Sequence, residues 1–339
     1  MSKPVVAFLD PHGPEVRAAI QAECPPEVVL RLATSSDPAE RASLVGDAEF
    51  LVGGITPIPA SLIQAAPRLR LIHKWGIGVD KIDLAAAQAR GVPVAITAGA
   101  NAVPVAEFTL LLVLAVLRRL SHREAQLRAG EWQRAREETR AQARQLRGKL
   151  VALIGMGAIG REVARRLRAF DAEVRYFDVR RLAPDEERAL GVRFGDLEAL
   201  LSEADIVSLH VPLLPSTRRL LSRERIARLR PQAVVINTAR GELVDEAALA
   251  EALDAGRLAG AGLDVFGTEP PPADHPLLRV KAPGLVLAPH LAGSVIDNVG
   301  NMARHVFANI RRVLDGEPIP ARDLVFFGGV SGDPPDAPP

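Results

Sequence analysis

Short apolar runs alternate with segments of helical periodicity along almost the whole chain. In the first third the runs lie at residues 5–9, 28–32, 50–52, 71–74 and 94–96, with helix-like stretches at 15–23, 38–45, 59–65 and 84–90 between them. A second series follows at 150–154, 174–177, 206–209, 234–237, 262–265 and 286–287. Runs this short and this uniformly apolar predict strands buried on both faces, and the intervening helices predict the crossovers of parallel sheets. The pattern therefore predicts an α/β protein with two doubly wound parallel-sheet domains. Two longer helical patterns, one running from Ala102 to about Leu120 and one at 295–314, connect the series. Pro104 suits the first turn of the former, where its missing N–H costs nothing.

Composition narrows the function classes. A length of 339 residues with 48% hydrophobic content is enough for two domains, each with its own core. The near balance of 42 basic and 41 acidic side chains argues against a dedicated nucleic-acid binder. Cys24 is the single cysteine, which excludes an intramolecular disulfide and a cysteine zinc cage. The remaining histidines show no metal-ligand spacing, and no metal is expected. The most apolar stretch, 108–117, falls short of the roughly 20 residues of a membrane span and is expected to be a buried helix. No secretory signal is recognisable at the N-terminus, so the expectation is a soluble, cytoplasmic protein with no membrane partner. The Gly-, Pro- and Asp-rich stretch 330–339 is expected to be disordered.

The apolar run 150–154 ends in Gly155-Met156-Gly157-Ala158-Ile159-Gly160, and a helical pattern follows from Arg161 to Phe170. In a G-x-G-x-x-G turn the first glycine allows the bend and the second lets backbone approach a pyrophosphate. The third allows close helix packing, and the helix N-terminus offers free N–H groups to the anion. The next run ends in Asp178, 18 residues beyond Gly160. That is close to the roughly 20 expected of a carboxylate that binds a ribose 2′-hydroxyl. Asp178 favours NAD(H), because a carboxylate repels a 2′-phosphate. Arg180 and Arg181 directly after it keep NADP(H) as the minor alternative.

Three later strand ends carry reactive side chains. The run 234–237 leads into Thr238-Ala239-Arg240-Gly241, the run 262–265 contains Asp264 and leads to Glu269, and the run 286–287 leads to His290 and Gly293. Open α/β sheets bind ligands at such carboxyl ends. An arginine can hold a carboxylate with two parallel hydrogen bonds and polarise a carbonyl. A histidine can exchange a proton near neutral pH, and a carboxylate beside it favours the imidazolium, the form that donates during carbonyl reduction. Each residue alone is an ordinary loop polar group; their coincidence downstream of a dinucleotide turn is the signal.

These motifs, with Gly76-Ile77-Gly78-Val79-Asp80-Lys81-Ile82-Asp83, Val105-Ala106-Glu107, His210-Val211-Pro212-Leu213-Leu214-Pro215-Ser216-Thr217 and Val244-Asp245-Glu246, resemble the D-isomer-specific 2-hydroxyacid dehydrogenases over nearly the whole chain. The resemblance implies a Rossmann NAD-binding domain, residues 100–290, inserted into a flavodoxin-like substrate domain, residues 1–99 and 291–339. It implies that Arg240 binds and polarises a 2-keto acid, that His290 is the general acid/base, and that Glu269 is its partner. Asp264 is expected to hold the nicotinamide carboxamide. Val211, Pro212, Thr217, Thr238, Ala239 and Gly293 are expected to line the cofactor with Arg240 and His290. Trp75, Gly76, Ile77 and Gly78 are expected to receive the substrate carboxylate, with Asn101 near the cleft. A homodimer through the NAD domain is also implied.

Departures from the family pattern bear on the substrate. Trp75 and Ile77 make the loop bulkier and more apolar than in many phosphoglycerate-oxidising relatives. Glu269 stands where formate-oxidising relatives carry Gln, which argues against formate. The sequence runs about 25 residues beyond Leu314, and the expectation is that the C-terminal regulatory domain of long phosphoglycerate-oxidising relatives is absent. The leading expectation is reduction of a small 2-keto acid such as glyoxylate or hydroxypyruvate. The alternatives are an NAD(H)-sensing interaction protein of the same fold, or a phosphoglycerate dehydrogenase without its regulatory domain.

Overall fold

The computed structural model describes residues 3–325; the stretch 330–339 lies outside them. The chain divides into two compact units, one built from residues up to Asn101 and from Val295 onward, the other from Ala102–Ser294. The divides fall at 101/102 and 294/295 rather than 99/100 and 290/291, and local hydrogen bonds explain the shift. Asn298 Nδ2 donates to Ala100 O at 2.9 Å, which keeps Ala100 in the first unit. The amides of Leu291 and Ala292 are held by Asp264 at 2.7 and 2.9 Å, which keeps that turn in the second.

The first unit carries parallel strands β1 (Val5–Phe8), β2 (Val29–Leu32), β3 (Phe50–Gly53), β4 (Leu71–Lys74) and β5 (Val94–Ala95) in the order β2-β1-β3-β4-β5. That is the flavodoxin-like order. The second unit carries β6 (Leu150–Ile154), β7 (Glu173–Phe177), β8 (Arg193–Phe194), β9 (Ile206–Leu209), β10 (Val234–Asn237), β11 (Gly260–Leu263) and β12 (Leu285–Leu287), ordered β8-β7-β6-β9-β10-β11-β12. Counted from its own first strand this is the Rossmann order 3-2-1-4-5-6 with one further strand, and the order reverses between β6 and β9. A last short strand, β13 (Leu324–Val325), returns to the first sheet and pairs antiparallel with β5, so that sheet is not wholly parallel.

Period-two alternation feeds two apolar layers in each unit. Val151 and Leu153 of β6 join one layer, with Val234 and Ile236 of β10, while Ala152, Ile154 and Val235 join the other. In β1, Val5 and Ala7 face one way and Val6 and Phe8 the other. Residues on both faces are thus removed from water, as a helix-covered sheet requires. Asp37, Asp83, Asp196, Ser222 and Asp245 start five of the helices by accepting a backbone N–H two or three residues on.

The stretch 108–117 lies within the helix Ala102–Arg118, whose Leu112, Val113 and Val116 pack into the core of the second unit. Among the described residues no helix is long and apolar enough to cross a membrane. This helix approaches β11 closely because β11 offers glycines. An ideal Cβ on Gly260 would lie 2.2 Å from Gly284 O and 2.7 Å from Val116 Cγ1, and one on Gly262 2.9 Å from Leu112 Cβ. The same glycines explain why β11 begins at Gly260 rather than 262: tertiary packing overrides their poor strand propensity. Asp264 therefore follows the strand instead of lying inside it. The helix expected from Arg161 begins at Ala158, with Gly157 at its N-cap.

Gly260→Ala is expected to lower stability by about 1–3 kcal/mol or more through overpacking against backbone. Gly46, at φ −54° with open space around its Cβ position, is the contrasting site, where alanine is expected to stabilise by roughly 0.4–1 kcal/mol. Apparent melting temperatures of the two variants, shifted in opposite directions from the parent, check both.

Candidate active site

The candidate residues of the second unit sit in loops at the carboxyl ends of β6, β9, β10, β11 and β12, with Asp178 at the end of β7. The first five strands are consecutive neighbours in the sheet. At ~4.8 Å between strands, they lay the site out along a row roughly 19 Å long. One end of the row carries the glycine turn with its helix start, and the other carries the Glu269–His290 pair.

At the glycine-turn end, Gly155 has φ 104°, and an ideal Cβ there would lie 2.5 Å from His210 O, across the point where the strand order reverses. A Cβ on Gly160 would lie 2.3 Å from Gly155 O, so only glycine lets the helix close on the turn. Gly157 differs, because nothing lies within 4 Å of its Cβ position and no side chain caps the helix Ala158–Ala169 that it begins. The helix start at Ala158, Ile159 and Gly160 therefore has no N-cap side chain and open space beside Gly157, an arrangement suited to a phosphate. Asp178 stands beside the turn, with Oδ2 accepting from Met156 N at 2.6 Å and Oδ1 from Arg180 N at 3.1 Å. A glycine cradle at the reversal point, an uncapped helix start and a half-buried carboxylate fit a dinucleotide with a free ribose 2′-hydroxyl.

Along the row, Val211 is half-buried and Pro212 exposed at the end of β9. Thr217 Oγ1 donates to Pro212 O at 2.7 Å and accepts from Leu214 N at 2.8 Å, so its hydroxyl shapes its own loop. Thr238 is buried with its Oγ1 3.0 Å from Thr109 Oγ1, turned toward the helix Ala102–Arg118. Asn237 organises this turn: Oδ1 accepts from Ala239 N at 3.0 Å and Nδ2 donates to Arg240 O at 2.8 Å. Arg240 is half-buried, with Nη1 donating to Ala239 O at 2.7 Å. The next residue, Gly241, is packed so tightly that an ideal Cβ would sit 1.9 Å from Phe266 C. Backbone contact thus brings the Arg240 loop onto the loop that bears Glu269.

At the far end, His290 Nδ1 lies 3.0 and 2.9 Å from the two Glu269 oxygens. One imidazole nitrogen is therefore committed to the carboxylate, and the other, Nε2, points away from it. Glu269 Oε1 also accepts from Phe266 N at 3.3 Å. His290 has φ 56°, a left-handed backbone that non-glycine residues seldom adopt. Asp264 holds it there: His290 N donates to Asp264 O at 2.7 Å, and both carboxylate oxygens accept from the Leu291 and Ala292 amides. Burial pushes the Asp264 carboxyl pKa up, while the two amide hydrogen bonds pull the other way. Gly293 lies in the turn closed by Ser294 N donating to Leu291 O at 2.8 Å.

The expected substrate loop belongs to the first unit. Gly76 has φ 126°; its N–H donates to Thr97 Oγ1 at 2.9 Å and its carbonyl accepts from Thr97 N at 3.0 Å. Trp75 packs edge-on to Phe8 at 5.6 Å between ring centroids and lies 6.3 Å from His12. Ile77 is 37% exposed and Gly78 is half-buried. Asn101 Oδ1 is buried without a hydrogen-bond partner among the described residues. Lys74, the cation next to this loop, is buried, and its Nζ donates to Gly54 O. Sequence reasoning missed Thr97 and underrated Asn237. A polar residue at the buried end of a strand was the available signal for both.

A dinucleotide cradle on a Rossmann sheet, with an arginine loop and a carboxylate–histidine pair farther along the same edge, defines an NAD-dependent oxidoreductase. A family model for the "D-isomer specific 2-hydroxyacid dehydrogenase, NAD binding domain" matches residues 110–292. The chain is 41% identical over 264 residues to the glyoxylate reductase of Thermofilum pendens, covering 78% of this chain and 77% of that one. It is 36% identical over 330 residues to the D-3-phosphoglycerate dehydrogenase of Mycobacterium tuberculosis (strain ATCC 25618 / H37Rv), covering 97% of this chain but 60% of the other. The NAD-dependent formate dehydrogenase of Staphylococcus aureus, solved in complex with NAD, superposes with a TM-score of 0.81 at 25% identity, covering 96% of this chain and 100% of that one. This chain belongs to the D-isomer-specific 2-hydroxyacid dehydrogenase family, and it carries out NAD-dependent oxidoreduction of hydroxy acids.

Gly157→Ala and Gly160→Ala separate cofactor contact from packing. The first is expected to leave the melting temperature within about 1 °C of the parent while weakening NADH at least ~10-fold, since its methyl meets only the space left for the phosphate. Gly160→Ala is expected to lose stability as well as affinity. Fluorescence titration with NADH and thermal melts of the two variants check the contrast.

Proposed function

We propose that this enzyme reduces a small 2-keto acid with NADH, glyoxylate to achiral glycolate or hydroxypyruvate to D-glycerate. The observation that carries the proposal is the Glu269–His290 pair at 2.9 Å on strand ends next to the Arg240 loop. The Arg240 guanidinium pairs with the substrate carboxylate and stabilises the charge that grows on the keto oxygen during reduction. His290, held through Nδ1, presents Nε2 to that oxygen and donates the proton there. Glu269 keeps the ring oriented and favours its protonated form. A bound dinucleotide would supply the redox chemistry, exchanging a hydride (one proton with two electrons) with the substrate carbon. In the opposite direction His290 takes the hydroxyl proton.

Three further features support the finer reading. Trp75 and Ile77 give the expected substrate loop an apolar character, and the Lys74 ammonium is engaged by Gly54 O, which favours a short uncharged substituent over a phosphorylated one. The exposed apolar side chains Leu111, Leu127 and Trp132 on the helices Ala102–Arg118, Leu120–Arg128 and Trp132–Gln142 support a homodimer through the second unit. The lone cysteine and the use of NADH suit the cytoplasm.

NADH oxidation against a panel of glyoxylate, hydroxypyruvate, pyruvate, 3-phosphohydroxypyruvate and branched or aromatic keto acids tests the proposal, with NADPH in parallel. The highest kcat/KM is expected for glyoxylate or hydroxypyruvate with NADH. Preference for the phosphorylated acid, or NADH binding without turnover of any acid, would contradict it. Arg240→Ala is expected to raise KM and lower kcat together. His290→Ala is expected to lower kcat by about 10²–10⁴-fold with NADH affinity unchanged.

A further inference from the structure

The helix Glu246–Asp254 begins one strand away from the loop that carries Glu269. Its N-cap Asp245 accepts from Ala248 N at 3.0 Å, an ordinary helix start. Glu246, the next residue, does not turn to water. Its Oε1 accepts from Gly267 N at 3.0 Å, and its Oε2 lies 3.2 Å from His275 Nε2. His275 is 8% exposed, and its Nδ1 finds no partner among the described residues, so Glu246 is the polar contact its ring makes. The same ring packs edge-on against Phe266, 5.6 Å between centroids at 89°.

Glu246 and His275 therefore grip the 266–275 loop at both ends, and Glu269 lies between those grips. The coupling to Glu269 is short. The Phe266 N–H donates to Glu269 Oε1, and Phe266 is joined to Gly267 through the peptide whose N–H Glu246 holds. Gly267 permits the approach, since an ideal Cβ there would lie 2.9 Å from Glu246 Oε2. The Phe266–Gly267 backbone is also the surface against which Gly241 packs, so a rotation at Gly267 disturbs Glu269 and the Arg240 loop together.

We propose that Glu246, braced by His275, is a positioning residue for the reaction: it fixes the Phe266–Gly267 peptide and through it the Glu269 carboxylate that orients His290. This rests on the reading of Glu269 as the partner of His290. Catalytic groups misplaced by about 1 Å lose up to ~10²-fold in rate without losing substrate contacts. Loss of the Glu246 carboxylate is thus expected to appear in kcat and not in cofactor affinity.

A double-mutant cycle on the full-length enzyme tests this, with the best keto acid of the panel as substrate and NADH affinity and melting temperature measured alongside. Glu269→Ala alone tests the underlying reading; if it leaves kcat unchanged, that reading fails and this proposal falls with it. If Glu269→Ala does lower kcat, Glu246→Ala is expected to lower it about 10–50-fold, with NADH affinity and KM within about twofold of the parent. In the Glu269→Ala background the same change is expected to cost less than about twofold, because the residue it acts through is gone. Glu246→Gln, which keeps an oxygen for Gly267 N, is expected to recover kcat to within about threefold. Should Glu246→Ala not fold, Glu246→Asp takes its place: it keeps an acid in the first helical turn but draws the carboxylate back from Gly267, with the same loss expected. Unchanged kcat, full additivity with Glu269→Ala, or no rescue by Gln would overturn the proposal.

Discussion

The buried Asp264 carboxylate is the contact on which the Glu269–His290 end of the candidate site depends. It follows β11 directly, it is fully removed from solvent, and its two oxygens are spent on the amides of Leu291 and Ala292. Its carbonyl takes the N–H of His290. A charge in that position is costly unless hydrogen bonds compensate it, which is why burial raises its pKa while the amides oppose the rise. The return is a His290 held with a left-handed backbone and one nitrogen fixed on Glu269. The resemblance assigns Asp264 to the nicotinamide carboxamide; the hydrogen bonds made within this chain add a structural task to the same side chain.

The rest of the site follows from close approach of backbone to backbone. Gly155 against His210, Gly160 against Gly155 and Gly241 against Phe266 are places where a single methyl group does not fit. These contacts draw the loops at neighbouring strand ends together along one edge, with the glycine turn at the β6 end and the Glu269–His290 pair at the β12 end. Gly157 is the exception along this row, with empty space where its neighbours have contact. Packing glycines and one glycine with open space beside it are indistinguishable in a motif and separate at once in three dimensions.

Much of this was legible in the sequence. The runs 71–74, 150–154, 206–209 and 234–237 coincide with strands because uninterrupted apolar residues leave a parallel strand few other ends. The glycine turn, Asp178, Arg240, Glu269 and His290 could be placed at strand ends because each lies within a few residues of such a run. β8 and β13 were invisible, since two residues at a sheet edge carry no period. β11 was set two residues late because its glycines mask a strand that helix packing imposes. The polar contacts that hold the loops, Thr97 to Gly76 and Glu246 to Gly267 and His275, join positions 21–29 residues apart. No local pattern encodes such pairings; they become readable only once the strand order is known.

The most direct measurement is the handedness of the product. The enzyme is incubated with NADH and hydroxypyruvate, and the hydroxy acid formed is resolved by chiral chromatography. A single D-enantiomer, formed mole for mole with the NADH oxidised, is the expected result. An L product, a racemate, or NADH oxidation without hydroxy acid would contradict the assignment of this site to D-2-hydroxy acid chemistry.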